Sequence, residues 1–221
     1  MDTYVNGSAG HSSRIKQEVS AIHETMRLIL WLEKKMDSLI ELGNFDNRFH
    51  PSHSTIHIGT VNGGIAPNVI ADKAHFSWDL RTIPSDSVND IVNEFEKHCR
   101  KREDQLRKIY PGFKIQNKET HPIVPHLDTK SNDDVVELIK KITGNSNIKT
   151  VSFAAEAGHF ANAGFNSAIC GPGDIAQAHR ADEFISKEQL NKGVEMINNC
   201  LLYTSDAADE GLGVDLGGRR I

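Results

Sequence analysis

The order in which two hydrophobic periods follow one another constrains this chain more than any other feature. Apolar and polar residues alternate over residues 55–61 and again over 73–83, where Ala74, Phe76, Trp78 and Leu80 share one phase, the period of a β-strand with one buried face. Ile15, Val19, Ile22, Met26, Ile29 and Leu30, then Met36, Leu39 and Ile40, keep the spacing of one long amphipathic helix that Gly43 closes. Ser12 or Ser13 is positioned to cap its start. Val88, Ile91, Val92, Phe95 and Cys99 predict a second helix, opened by Pro84-Ser85-Asp86. A short strand over residues 4–9 runs into the turn Gly10-His11-Ser12-Ser13, and an extended segment over 113–116 follows Pro111-Gly112. Asn62-Gly63-Gly64 marks a hairpin whose loop exceeds two residues.

Strand, helix, strand, strand, helix, strand is the split βαβ order of a ferredoxin-like sandwich, an antiparallel sheet with both helices on one face. Residues 1–117 therefore suffice for a complete α+β domain. The stretch 120–128, with two prolines, reads as a linker or crossover. After it the sequence predicts a helix over 133–142, a strand over 149–153, a helical turn over 156–163, a buried strand over 166–170 and a last helix over 187–198. That is α/β material with too few strands to close a sheet, so residues 118–199 read as part of a larger domain. Residues 200–221 show neither period. Cys200 to Glu210, and the run ending Gly217-Gly218-Arg219-Arg220-Ile221, are what library-adapter oligonucleotides encode in this frame, so the stretch reads as translated sequencing adapter and is set aside. A gene read from a short assembly is expected to be a fragment lacking its N-terminal part.

Charge and composition narrow the function. The formal net charge of -5 is mild and spread along the 221 residues, with no basic stripe interleaved with aromatics, which argues against nucleic acid as a partner. No apolar run approaches the roughly 18 residues of a membrane span, and Met1-Asp2-Thr3-Tyr4-Val5 lacks the layout of a signal peptide, so the chain reads as cytoplasmic. Cys99, Cys170 and Cys200 are an odd, widely spaced set, neither a disulfide framework nor a thiolate zinc site.

One segment carries chemistry. Gly171-Pro172-Gly173-Asp174 follows a predicted strand and precedes Ala178-His179-Arg180-Ala181-Asp182-Glu183. Ligands gather at the carboxyl ends of strands in open α/β sheets, and a glycine loop there lets backbone approach a bound group closely. His179 can offer a neutral imidazole nitrogen to a metal, with Asp182 or Glu183 holding the ring.

Ala155-Glu156-Ala157-Gly158-His159-Phe160, Ala163-Gly164-Phe165, Cys170-Gly171-Pro172-Gly173, Gln177-Ala178-His179 and Asp182-Glu183-Phe184 together resemble the C-terminal signature of a metallopeptidase family. This family holds acetylornithine deacetylase, aminoacylase, succinyl-diaminopimelate desuccinylase and carboxypeptidase G, and the acetylornithine deacetylase branch is the nearest in motif. Gly10-His11-Ser12-Ser13-Arg14 is similar to the opening of the family's lid domain. Residues 59–84, with Gly63-Gly64, Pro67-Asn68-Val69-Ile70 and Asp79-Leu80-Arg81, are similar to its lid hairpin. The resemblance covers nearly all of residues 1–199.

It implies a ferredoxin-like lid that forms homodimers, joined to the C-terminal part of a two-metal, aminopeptidase-like α/β catalytic domain. The implied cofactors are two divalent ions, zinc or cobalt. The implied reaction is hydrolysis of an N-acyl amino acid, with N-acetylornithine giving ornithine and acetate in arginine biosynthesis as the leading case. Another substrate of the same family, or a non-catalytic dimerisation module, are the alternatives. By position, His179 matches a metal ligand, and His11 matches a lid histidine that reaches the neighbouring subunit's site to hold the oxyanion. Arg81 matches the arginine that grips the substrate carboxylate, a task suited to its planar fork; its other reading is a surface ion pair. Asn68, Gly171 and Gly173 line the pocket in this comparison, and Glu156 faces a substrate amine, although Ala155 stands where the family often has Thr. The family's remaining ligands, a strand-end His-x-Asp, a Glu-Glu pair and a further acid, are expected from an N-terminal segment. This chain contains no Glu-Glu, and His126-Leu127-Asp128 has the spelling of the first motif but lies after the lid. His50, His53, His57 and His75 cluster near the hairpin, where strand phase puts His57 on a solvated face.

Overall fold

The computed structural model describes residues 1–130, 133–151 and 155–211, which fall into two units. The first comprises residues 1–126 with 149–154 and the second residues 127–148 with 155–221.

In the first unit the strands are β1 (Asp2–Asn6), β2 (Gly10–His11), β3 (Thr55–Gly63), β4 (Val69–Ile70), β5 (Lys73–Arg81) and β6 (Lys114–Lys118). The helices are α1 (Ala21–Leu42) and α2 (Val88–Leu106). The main sheet has the order β3-β5-β1-β6 with every neighbour antiparallel, and β2 pairs with β4 in a separate small ladder. This is the ferredoxin-like architecture that the hydrophobic periods predict. Ala74, Phe76 and Trp78 of β5 are buried and Leu80 is partly so, as their shared phase requires. Ile91, Phe95 and Cys99 of α2 and Leu28 and Leu32 of α1 pack with them, and Trp78 and Phe95 meet edge to face with ring centroids 5.2 Å apart. Between Ile58 and Thr60 the register with β5 shifts by a residue at Gly59, a bulge that resets the phase of the rest of β3. His57 is exposed, on the solvated face expected for it.

Three buried polar groups tie the layers. The Trp78 indole N–H donates to Thr3 Oγ1 at 3.2 Å, and that hydroxyl donates to Asn117 Oδ1 at 2.9 Å, linking β5, β1 and β6. Glu24 of α1 is wholly buried and receives Arg102 of α2 in a two-pronged contact, which joins the helices. Ser54 is buried, donating to Asp86 and accepting from the Ile83 amide at 3.0 Å.

The first helix begins later than the sequence predicts. Residues 12–14 form only a single 3-10 turn, and α1 starts after Ser20, whose hydroxyl accepts from the His23 amide at 3.3 Å. The cause is tertiary: Ser8 takes both backbone groups of Val19, its own amide donating to the Val19 carbonyl at 2.9 Å and its hydroxyl accepting from the Val19 amide at 2.8 Å. A residue bonded in this way cannot also close a helical turn.

The second unit contains α3 (Asp134–Thr143), α4 (Ala157–Asn162), a 3-10 turn (Ile175–Gln177) and α5 (Lys187–Gly211). Gly144 closes α3 in the left-handed conformation (φ 64°) and its last turn carries Lys140 and Lys141, both suited to a helix C-terminus. Two expected strands are not found. Residues 149–151 are not in strand conformation and the rest of that segment lies outside the described residues. Residues 166–170 form no strand and Ile169 is exposed: among the described residues no strand lies beside them, and the Ser167 carbonyl accepts instead from the Thr129 hydroxyl. The final helix continues past residue 198 to Gly211, through the aperiodic stretch set aside in the sequence, whose Asp-Ala-Ala-Asp-Glu run contains good helix formers. Among the described residues no helix is long and apolar enough to cross a membrane.

Candidate functional site

His11 and Asn68, separated by 57 positions, are brought side by side. β2 pairs with β4 so that Gly10 lies opposite Ile70 and His11 opposite Val69, and the Ser12 amide then donates to the Asn68 carbonyl at 3.0 Å. The ladder is anchored below by Ala71, whose carbonyl accepts from Ala21 at 2.8 Å, and by Asp72, whose carbonyl accepts from Gly7 at 2.7 Å. Gly7 is required for this crossing: a Cβ there would lie 2.1 Å from the Val19 carbonyl oxygen. His11 is exposed and serves as the cap of the 3-10 turn, its Nδ1 accepting from the Ser13 amide at 3.3 Å and lying 2.9 Å from Ser13 Oγ. The sequence offers Ser13 as a possible helix cap and as part of the lid-like motif, but does not show that it contacts the His11 ring.

Arg81 is the last residue of β5, opposite Thr55, exposed, with its Nε 2.8 Å from Asp79 Oδ2. An exposed pair of this kind is held weakly, so the guanidinium can be given up to a competing carboxylate. The His11–Asn68 corner adjoins the opposite end of the same nine-residue strand, beyond Lys73. At the rise of extended chain the two ends are roughly 26 Å apart. A small substrate cannot touch both in one protomer.

Electrostatics on the sheet's open face centre on Asp2, whose carboxyl is held below the usual range by the Ser77 hydroxyl donating to it at 2.7 Å, with His75 adding to the effect and burial opposing it. His75 stacks on Tyr4 at 4.6 Å. On the helical side, burial lowers the His98 pKa, helped by the nearby Arg102 charge. Burial pushes the Cys99 thiol up to about 12, which makes it inert at neutral pH.

In the second unit, Gly171 and Gly173 flank Pro172 in an exposed loop. Gly173 has φ 104°, a conformation for which glycine is the natural residue. Pro172 rests against Gly193 of α5, where its Cγ would lie 2.8 Å from an added Cβ, so the glycine inside that helix is there to seat the loop. Asp174 Oδ1 accepts from the Ala176 amide at 2.9 Å and caps the 3-10 turn that leads to His179. His179 and Asp182 are both left-handed, at φ 61° and 60°, which is uncommon for residues with a side chain. The Glu183 carboxylate accepts from the His179 backbone amide at 3.3 Å. Glu183, which the sequence offers with Asp182 as a partner for the His179 ring, here contacts the main chain of His179. Glu156 precedes α4, exposed and without a side-chain capping bond.

The fit to a metal pair is partial. His179 is an exposed imidazole on a constrained loop, a suitable single ligand. Among the described residues no group of three His, Cys, Asp or Glu side chains converges to hold an ion. His126, of the His-x-Asp spelling, places Nε2 3.0 Å from the Thr82 hydroxyl, which gives it a structural contact in the first unit.

Residues 1–107 match the family described as the peptidase dimerisation domain. The chain is 32% identical over 205 residues to an N-acetyl-L-citrulline deacetylase of Xanthomonas campestris pv. campestris, an alignment covering 88% of this chain and 51% of that protein. It is 28% identical over 186 residues to an acetylornithine deacetylase of Myxococcus xanthus, covering 84% and 47%. The chain therefore spans about half the length of the curated relatives it matches. Among solved structures, a tripeptidase from Staphylococcus aureus superposes with a TM-score of 0.61 at 18% identity, covering 90% of this chain and 49% of that one. Aminopeptidase PepT from Bacillus cereus superposes at 0.58 and 20% identity, covering 90% and 49%. At these identities the two structures speak to the fold alone.

Proposed function

We propose, from the match of residues 1–107 to the peptidase dimerisation domain family and the similarity of the chain to acetylornithine and N-acetylcitrulline deacetylases, that it is part of a homodimeric metal-dependent amidohydrolase acting on N-acyl amino acids. The leading substrate is N-acetylornithine, with ornithine and acetate as products. The observation that carries the reading is the separation of Arg81 from the His11–Asn68 corner by the length of β5. If Arg81 grips the carboxylate of an amino-acid substrate and His11 serves its acyl carbonyl, they do so on different substrate molecules within one protomer. A dimer reconciles them: each site takes Arg81 from one subunit and His11 with Asn68 from the other.

In this reading the Arg81 fork leaves Asp79 to pair with the substrate carboxylate. His11 donates a hydrogen bond to the oxygen that gains charge as the amide is attacked, an interaction worth on the order of 3 kcal/mol of barrier. Asn68 lies next to it as a further polar group. Gly171 and Gly173 form a wall that backbone can bring close to the ligand, and Glu156 faces the substrate amine. His179 is one ligand of a pair of divalent ions, zinc or cobalt. Among the described residues no group of three His, Cys, Asp or Glu side chains makes up the rest of that site. N-acetylcitrulline is the second substrate reading, favoured by the 32% identity to the Xanthomonas enzyme.

The test is to recover the DNA upstream of codon 1, express the whole reading frame and assay N-acetylornithine, N-acetylcitrulline and tripeptides. Release of acetate from an acetylated amino acid, from a dimer, is the expected result. A frame without an upstream Glu-Glu and strand-end His-x-Asp, or a product that cleaves only peptides, would overturn the proposal.

A further inference from the structure

Ser13 directs two groups at a single nitrogen of His11. Its backbone amide lies 3.3 Å from Nδ1 in donor geometry and its hydroxyl oxygen lies 2.9 Å from the same atom. An amide N–H can only donate, so Nδ1 must present a lone pair; a proton on Nδ1 would point at the amide hydrogen. The hydroxyl, which can donate or accept, then donates as well. In the neutral ring one nitrogen carries the proton and the other does not, so the proton resides on Nε2. Among the described residues no group takes Nε2, and the side chain is exposed.

We propose that Ser13 is a positioning residue: by occupying Nδ1 through both its amide and its hydroxyl, it fixes His11 as the Nε2–H tautomer and turns that N–H outward as a hydrogen-bond donor. The significance for catalysis rests on the function proposed above, since a developing oxyanion needs a donor and the other tautomer would offer it a lone pair. The tautomer itself does not rest on that function. The surrounding backbone supports the arrangement. The Ser12 amide is held by the Asn68 carbonyl at 3.0 Å, and the ladder pairing of His11 with Val69 keeps the cap in register. The signal in sequence is a histidine followed two positions later by a serine at a turn.

The experiment is nitrogen-detected NMR on the 15N-labelled full chain at a pH where the imidazoles are neutral, with the His11 ring assigned by its disappearance in His11→Gln. The expected result is a single tautomer, with a pyrrole-type shift at Nε2 and a pyridine-type shift at Nδ1. Ser13→Pro, which removes the amide proton and the hydroxyl together, should return the ring to the mixed shifts of an unconstrained histidine. Ser13→Ala keeps the amide and should give an intermediate pattern, and Ser13→Thr should restore the wild-type one. If Ser13→Pro perturbs the fold, the alanine and threonine pair carries the test. A protonated Nδ1 in the wild type, or shifts indifferent to Ser13, would overturn the assignment. Because these readouts are independent of turnover, failure of the enzymatic reading leaves them interpretable, and their failure leaves the enzymatic reading standing.

Discussion

The Glu24 carboxylate and the Arg102 guanidinium meet between the two helices, Nε to Oε1 at 2.5 Å and Nη2 to Oε2 at 2.8 Å, with the glutamate side chain only 1% exposed. Arg27 adds a longer contact at 3.3 Å from the solvent side. A charge so deeply placed depends on its partner: removing one member of a buried pair strands the other in a medium that solvates it poorly.

Arg102→Met should therefore destabilise the first unit by about 3 kcal/mol, the lower end of the range for a broken buried pair because Arg27 remains. Replacing both residues, Glu24→Met with Arg102→Met, should recover at least half of that loss. Urea midpoints of the two variants check both statements, and a double variant less stable than the single one would show that packing between the helices, and not the stranded charge, sets the effect.

Ser20→Ala should cost about 1 kcal/mol, the usual value for an N-cap hydroxyl, while Ser12→Ala should change stability by no more than a few tenths. The comparison, read by thermal or urea unfolding, reports where α1 begins. Equal effects at the two positions would contradict a start at Ser20.

Cys99 has its folded-state pKa raised from an ordinary value near 9 to about 12. The folded state then holds a proton that the unfolded state releases between those limits, so the contribution of this thiol is fully present below pH 9 and is lost as pH rises toward 12. The stability difference between the wild type and Cys99→Ala should shrink progressively from pH 8.5 to 10.5 in urea titrations. In the native state at pH 8, thiol reagents should label Cys170 and spare Cys99, since one is exposed and the other buried.

Gly193→Val would press on Pro172 and should destabilise the second unit by about 1–3 kcal/mol, the usual range for overpacking. The diagnostic measurement is local: amide shifts of Gly171 and Gly173 should move together in the variant. Unchanged shifts at both glycines would mean that the loop does not depend on this seat.

Under the proposed function, Arg81→Lys in the whole protein should raise KM for N-acetylornithine about tenfold with little change in kcat, the pattern of a lost bidentate ground-state contact. A fall in kcat with KM unchanged would place Arg81 in the chemical step and out of the carboxylate grip.

The sheet and both helices of the first unit were legible because each buries one face, and a buried face leaves a period. Ala74, Phe76 and Trp78 announce β5 in this way, and Ile91, Phe95 and Cys99 announce α2. The start of α1 was misplaced because what decides it is a pair of bonds between Ser8 and Val19, which no local pattern encodes. The strand expected at 166–170 failed for the converse reason: its composition suits a buried strand, but pairing requires a neighbour. The adjacency of His11 and Asn68 depends on a two-residue ladder, too short to carry any period, and the contact of Ser13 with the His11 ring leaves no periodic mark. The seat of Pro172 on Gly193 was open to inference from one sign alone, a glycine in the middle of a helical run.

Of the four strands of the main sheet β1 is made first, and it is flanked by two strands distant in sequence, with Asp2 opposite both Ser77 and Lys118. Its first neighbour is available once β5 has emerged, but the second is not made until β6, more than a hundred residues after it. At translation rates of roughly 5–20 residues per second, Val5 waits for seconds with one side of its backbone unpaired, and the buried bond from Thr3 to Asn117 can form only at the close of that interval. An interior strand is thus the first of the sheet to be made and is completed last, when the edge strand β6 is added outside it. Nascent chains arrested before residue 118 should present that open side to chaperones, and those released after it should not.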